Sequence, residues 1–128
     1  LALQLELAAR LATELVAEGG RLSPVDAWRQ AVSERFPDSE DSRKKSCPKS
    51  AFLGLCEMGV VRGVQEGSYT TSEKNKAYAL RALDALRSDP SLAERKPELW
   101  SIAVQGVEKR ENEQMDVLVS LWREGLVE

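Results

Sequence analysis

The chain has 128 residues, 42 % apolar and 30 % charged, the make-up of one folded domain rather than of two or of a disordered tract. Eighteen basic residues stand against 21 acidic, a net charge of −3, so no global field draws the protein to nucleic acid or anionic lipid. Histidine is absent, which excludes Ser-His-Asp and Cys-His catalysis, His-ligated metals and His-based pH switching.

No apolar run approaches the ~20 residues that a membrane span needs. The longest uncharged stretch of the C-terminal half, Leu99–Val107, is nine residues. The opening Leu1–Ala8 carries Glu6 and lacks a basic n-region, so it does not read as a signal peptide. No initiator Met precedes it, and further residues are expected before it. Cys47 and Cys56 are too few for a disulfide framework or a zinc site. Two reduced thiols, a cytoplasmic location, no metal and no cofactor are the expectation.

Apolar residues at 5, 8, 11, 12, 15 and 16 predict a first helix over about Leu3–Glu18, stopped by Gly19-Gly20. Leu3 and Leu7 widen its apolar stripe, which points to a second contact side and a possible homodimer. Ser23-Pro24-Val25-Asp26 opens a second helix, with Val25, Trp28, Ala31, Val32 and Phe36 inward and Pro37 as its end. Residues 37–46 hold no large apolar side chain and read as a solvated loop of mixed charge. A third helix starts at Ser46 or Cys47, runs to Met58 and stops at Gly59, with Ala51, Phe52, Leu55, Cys56 and Met58 inward.

Val60–Val64 reads as extended, Gln65-Glu66-Gly67 as a turn and Ser68-Tyr69-Thr70 as a returning strand, a short β-hairpin near 60–71. Thr71 or Ser72 caps a fourth helix to about Arg87, with Ala79, Ala82, Leu83 and Leu86 inward, broken by Ser88-Asp89-Pro90. Pro97 opens a fifth helix carrying Leu99, Trp100, Ala103 and Val104. A last helix spans about Glu113–Glu124, with Asn112 as N-cap and Met115, Leu118, Val119 and Trp122 inward, ending at Gly125. The expected fold is mainly α, one domain of about six helices over residues 1–128.

Few constellations carry chemistry. The acidic run Asp38, Glu40, Asp41 fails as a calcium loop because Arg43 stands where that loop needs glycine. Gly63-x-x-x-Gly67-Ser68 lacks the Lys-Ser/Thr of a phosphate loop and reads as a turn. Carboxylates are spread along every helix, so no acid/base pair and no catalytic residue stands out. Cys47, Lys76 and Tyr69 are the least implausible reactive groups. Tyr69, Ser72, Asn75, Lys76 and Asn112 form a candidate ligand patch, denser than capping alone explains, with Thr70, Tyr78, Gln114 and Asp116 of similar standing. Residues 43–64 hold Arg43, Lys44, Lys45, Lys49 and Arg62 against Glu57 alone, a local basic cluster around the third helix.

Two resemblances follow from these motifs. Leu55-x-x-x-Gly59-Val60-Val61-Arg62 with Gly67-x-Tyr69-Thr70-x-Ser72 resembles the second half of a winged helix-turn-helix domain over residues 46–87. That likeness implies duplex DNA binding with the third helix in the major groove and Lys49, Ser50, Leu53, Gly54 and Glu57 outward. Arg43, Lys44, Lys45, Lys49 and Arg62 would meet phosphates, and Lys49 with Ser50 would read bases. Cys47-Pro-Lys-Ser-Ala-Phe-Leu-Gly-Leu-Cys56, Gly67-Ser-Tyr-Thr70, Ser72-x-x-Asn75-Lys76-x-Tyr78-Ala79 and Asn112-x-Gln114-Met115-Asp116-Val117 resemble a family of small bacterial proteins known as a domain of unknown function. This likeness spans about residues 24–128 and implies a bacterial source and a compact helical fold, with no assigned activity. The leading functional expectation is therefore a non-catalytic interaction or regulatory module with a protein partner. A winged-helix DNA binder is second, and a small enzyme or ligand-binding domain third.

Overall fold

The computed structural model describes residues 2–18 and 22–128; the Gly19-Gly20 stop lies outside them. The described chain folds into α1 (Ala2–Ala17), α2 (Pro24–Arg35), a single turn α3 (Glu40–Arg43), α4 (Ser46–Glu57), α5 (Glu73–Ser88), a 3₁₀ turn (Pro90–Glu94), α6 (Lys96–Ala103) and α7 (Gln114–Arg123). Six of these helices reach eight residues or more, as the apolar periodicities predict.

Local chemistry sets the helix ends. Ser23 Oγ accepts the Asp26 N–H at 3.2 Å, with Pro24 in the first turn of α2, so one orphan donor is satisfied and another is missing by construction. Ser72 Oγ likewise accepts the Asn75 N–H at the start of α5. Gly59 (φ 72°) and Gly125 (φ 70°) follow α4 and α7 in the left-handed region, where a side chain would be strained.

α7 is the central helix. Met115, Val117, Leu118, Val119 and Leu121 are fully buried because α1, α4, α5 and α6 all pack around it. A one-sided stripe was expected, and Val117 and Leu121 fall outside it. α1 pairs with α2, and α4 with α5. Trp28 of α2 stacks on Phe52 of α4 with ring centroids 5.3 Å apart, tying the two layers at about 0.5–1.5 kcal/mol beyond the area they bury.

The β-hairpin near 60–71 is not formed. Among the described residues the sole β pairing is an isolated antiparallel bridge between Val61 and Val127, reinforced by the Arg62 N–H to the Leu126 carbonyl at 2.8 Å. The segment expected to return as a strand spends its donors elsewhere. Gly67 N–H reaches the Glu57 carbonyl at 3.2 Å, and the N–H groups of Tyr69 and Thr70 both bind the Glu57 carboxylate. With those donors spent, no ladder can form.

Other expectations also shift. Residues 37–46 contain α3, which Ser39 caps and which buries nothing. Met58, expected inward, is exposed, whereas Leu53 and Gly54, expected outward, are buried, Gly54 directly against Lys76 of α5. Asn112 does not cap α7; Glu113 takes that position in the left-handed region (φ 67°).

Candidate functional site

The polar residues that stand out in the sequence converge on the junction of α4, α5 and α7. Gly54 lets α5 cross α4 closely, since a Cβ there would lie 2.8 Å from Lys76 Cα. One turn further along α4, Glu57 Oε2 meets Lys76 Nζ at 2.5 Å. Its Oε1 accepts the Tyr69 N–H at 2.7 Å and the Thr70 N–H at 3.1 Å. The Lys76 ammonium, followed by these two backbone donors, holds the Glu57 carboxyl down at about 2, and the bond to Glu57 raises Lys76 in turn.

A second chain of bonds runs beside this clasp. Asn75 Nδ2 donates to Ser72 Oγ at 3.1 Å, and Gln114 Nε2 donates to Asn75 Oδ1 at 3.0 Å. The Asn112 N–H in turn donates to Gln114 Oε1 at 2.7 Å. Gln114 is fully buried, so both ends of its amide are satisfied inside the protein. Tyr69 closes its own loop, its hydroxyl donating to the Gln65 carbonyl at 2.6 Å. Tyr69 and Lys76 of the candidate patch are thus joined through Glu57, and the bonded pair Ser72 and Asn75 is tied to Gln114, whereas Asn112 is exposed and takes part through its backbone N–H alone. Sequence reading misses one hub, Glu57, taken as a surface residue; the other, Gln114, is singled out there beside Asn112 and Asp116, but its burial as the link between Asn75 and Asn112 is not.

The basic cluster is distributed differently. Arg43 donates to the carbonyls of Phe36 and Pro37 at 2.6 and 3.0 Å. Lys44 pairs with Glu40 at 2.6 Å, Lys45 with Glu113 at 2.7 Å, and Arg62 with Glu128 at 3.0 Å. Lys49 and Ser50 lie on the first turns of α4, half-buried. The stretch of α4 that the winged-helix likeness turns toward DNA is covered at Leu53 and Gly54 and clasped at Glu57.

Cys56 is buried and its thiol is pushed up by that burial, a poor nucleophile. Cys47 is half-buried at the start of α4. It borders an open cleft of about 860 Å³ beside Lys45, Arg110, Glu113 and Gln114. Around that cleft Lys45 is paired with Glu113, and Lys96 with Asp116 at 2.7 Å. Burial raises Glu111 above the ordinary carboxyl range, against the Met115 N–H that binds it. Among the described residues no three His, Cys, Asp or Glu side chains gather as a metal would require.

A different surface lies where α5 meets the end of α6. Tyr78 packs edge-on against Trp100, centroids 5.4 Å apart at 74°, and Trp100 Nε1 donates to the Lys109 carbonyl at 2.7 Å. This fixes the loop after α6 against α5. Lys109 Nζ sits 5.6 Å and the Arg81 guanidinium 6.0 Å from the Tyr78 centroid, within cation–π range. Arg81 also donates to the Ala103 carbonyl at 2.6 Å. Between them runs an open, mainly apolar groove of about 320 Å³ lined by Ala77, Tyr78, Val104 and Val107. Val107 is 67 % exposed, and Ile102 nearby in sequence is 44 % exposed.

No helix is long and apolar enough to cross a membrane among the described residues. No curated protein matches the chain, and no solved structure does. A family model does match, and over residues 4–128 rather than from residue 24 onward. The chain belongs to that family, a family of unknown function designated DUF6979.

Proposed function

We propose that this protein is a non-catalytic docking module that works through the α5–α6 surface around Tyr78. The observation that carries the reading is the open apolar groove at Ala77, Tyr78, Val104 and Val107, where Val107 stands 67 % exposed. An apolar centre with a polar rim is the anatomy of a partner surface. The polar groups at the α4–α5–α7 junction support the same reading, since they are satisfied by one another and hold three helices in register. Free Cys47 and Cys56 fit a reducing compartment, and we place the protein in the cytoplasm.

A photo-crosslinking residue placed at Val107, compared with one at Arg29 on α2, tests this in cells of the source organism. The reading expects a discrete adduct of defined mass from position 107 and none from position 29. Equal labelling from both positions, or none from either, would refute it.

A further inference from the structure

Resting on the docking reading above, we infer that the occupant of this surface is an amphipathic helix of a partner protein whose flanks are acidic. The charge around the groove carries the inference. Lys74 and Arg81 line it, and Lys109 stands over Tyr78. None of the three has a carboxylate within ion-pair distance among the described residues, although twelve ion pairs form elsewhere. Glu73 is the one acid in the lining. A net positive ring around an apolar centre selects a partner with the opposite pattern.

The spacing specifies a helix. Lys74, Tyr78 and Arg81 recur at i, i+4 and i+7 along α5 and share one face, with Ala77 between them. The small Ala77 side chain permits close approach, and Val104 and Val107 form the facing wall. Lys74 and Arg81 lie ~10 Å apart along the axis, so glutamates about two turns apart on a partner helix meet both. Aliphatic residues between them then enter the groove.

At about 320 Å³ the opening sits at the bottom of the ~300–1,000 Å³ range of small-molecule sites, and its openness suits side-chain anchors better. Single-stranded nucleic acid would need a free aromatic face to stack on. The Tyr78 ring is already engaged by Trp100, Arg81 and Lys109.

Two labelled synthetic peptides of ~18 residues test the inference, one with leucines at i, i+3, i+4 and i+7 flanked by glutamates, the other with lysines for the glutamates. Titrated with the full chain, the acidic peptide is expected to bind at least ~10-fold tighter at about 50 mM salt, the gap closing near 500 mM. Amide shifts should fall on Ala77, Tyr78, Val104 and Val107. The surface double variant Lys74→Glu/Lys109→Glu should reverse the preference, and Val107→Glu should weaken both. Equal affinity for the two peptides, or no binding of the acidic one, overturns the inference. So does self-association through this face in sedimentation, or protection of the face by single-stranded RNA. If the acidic peptide fails while crosslinking from Val107 succeeds, the docking reading stands and this partner class falls.

Discussion

Lys76 crosses α4 directly over Gly54, so close that any Cβ at position 54 would lie 2.8 Å from both Lys76 Cα and Lys76 Cβ. The same lysine delivers its ammonium to Glu57 at 2.5 Å. Close helix approach and ion pairing are therefore one arrangement, and each helps to fix the other.

Gly54→Ala tests the approach. Alanine gains about 1 kcal/mol of helix propensity over glycine, but overpacking against a backbone atom costs roughly 1–3 kcal/mol. Because Lys76 Cα cannot swing aside as a side-chain tip would, the clash should win. Urea unfolding should show a net loss of about 1–2 kcal/mol. A stabilised variant would mean that α5 yields easily at this crossing.

The Glu57 clasp sets a pH dependence with a definite sign. Its carboxyl titrates near 2 in the folded protein instead of at 4.5, so its contribution is complete above about 4.5 and fades as pH falls toward 2. Glu111 has the opposite sign, since burial raises its folded value and acid relieves that cost. Thermal melts between pH 6 and 2.5 should therefore fall less steeply for Glu57→Gln than for the parent chain. Parallel acid limbs would remove Glu57 from this role.

Gln114 is the buried hub between Asn75 and Asn112. Truncation to alanine strips both of those partners and leaves a small void. A loss of roughly 2–3 kcal/mol is expected from unsatisfied buried groups and the cavity together. Asn112→Ala should cost far less, because Asn112 takes part through its backbone N–H. Similar losses in the two variants would show that the Asn112 side chain matters in its own right.

How much of this was legible in the sequence depended on how local the cause was. The ends of α2, α4 and α5 were readable because Ser23, Gly59 and Ser72 act on their own turns. The α5 core face was readable as well, since only one side of that helix is covered. α7 was not, because a helix wrapped by four others buries Val117 and Leu121 in addition to one stripe. The hairpin failed for a long-range reason, as Glu57 claims the donors of Tyr69 and Thr70 from 12 and 13 residues away. At the proposed docking surface, the Lys74–Tyr78–Arg81 spacing was present in the sequence. The wall of Val104 and Val107 that completes the groove depends on how Trp100 pins the loop after α6, and nothing local signals that.

The basic cluster gives a prediction of its own. Lys44, Lys45 and Arg62 are paired with carboxylates, so within the cluster Arg43 and Lys49 alone keep charges without a paired acid among the described residues, too few to track phosphates along a duplex. Fluorescence anisotropy of a labelled mixed-sequence duplex should show no saturable binding even at about 50 mM salt. Saturable binding that collapses near 200 mM would return α4 and its basic flanks to a DNA-binding role.

The protein divides into a scaffold joined at Gln114 and a proposed working surface at Val107. Urea unfolding of Gln114→Ala and Val107→Glu measured side by side tests that division most directly. The division predicts a loss of roughly 2–3 kcal/mol for Gln114→Ala and a change within about 0.5 kcal/mol for Val107→Glu, as for an ordinary exposed position. A Val107→Glu variant as damaged as Gln114→Ala would contradict it, because Val107 would then be serving the fold rather than a partner.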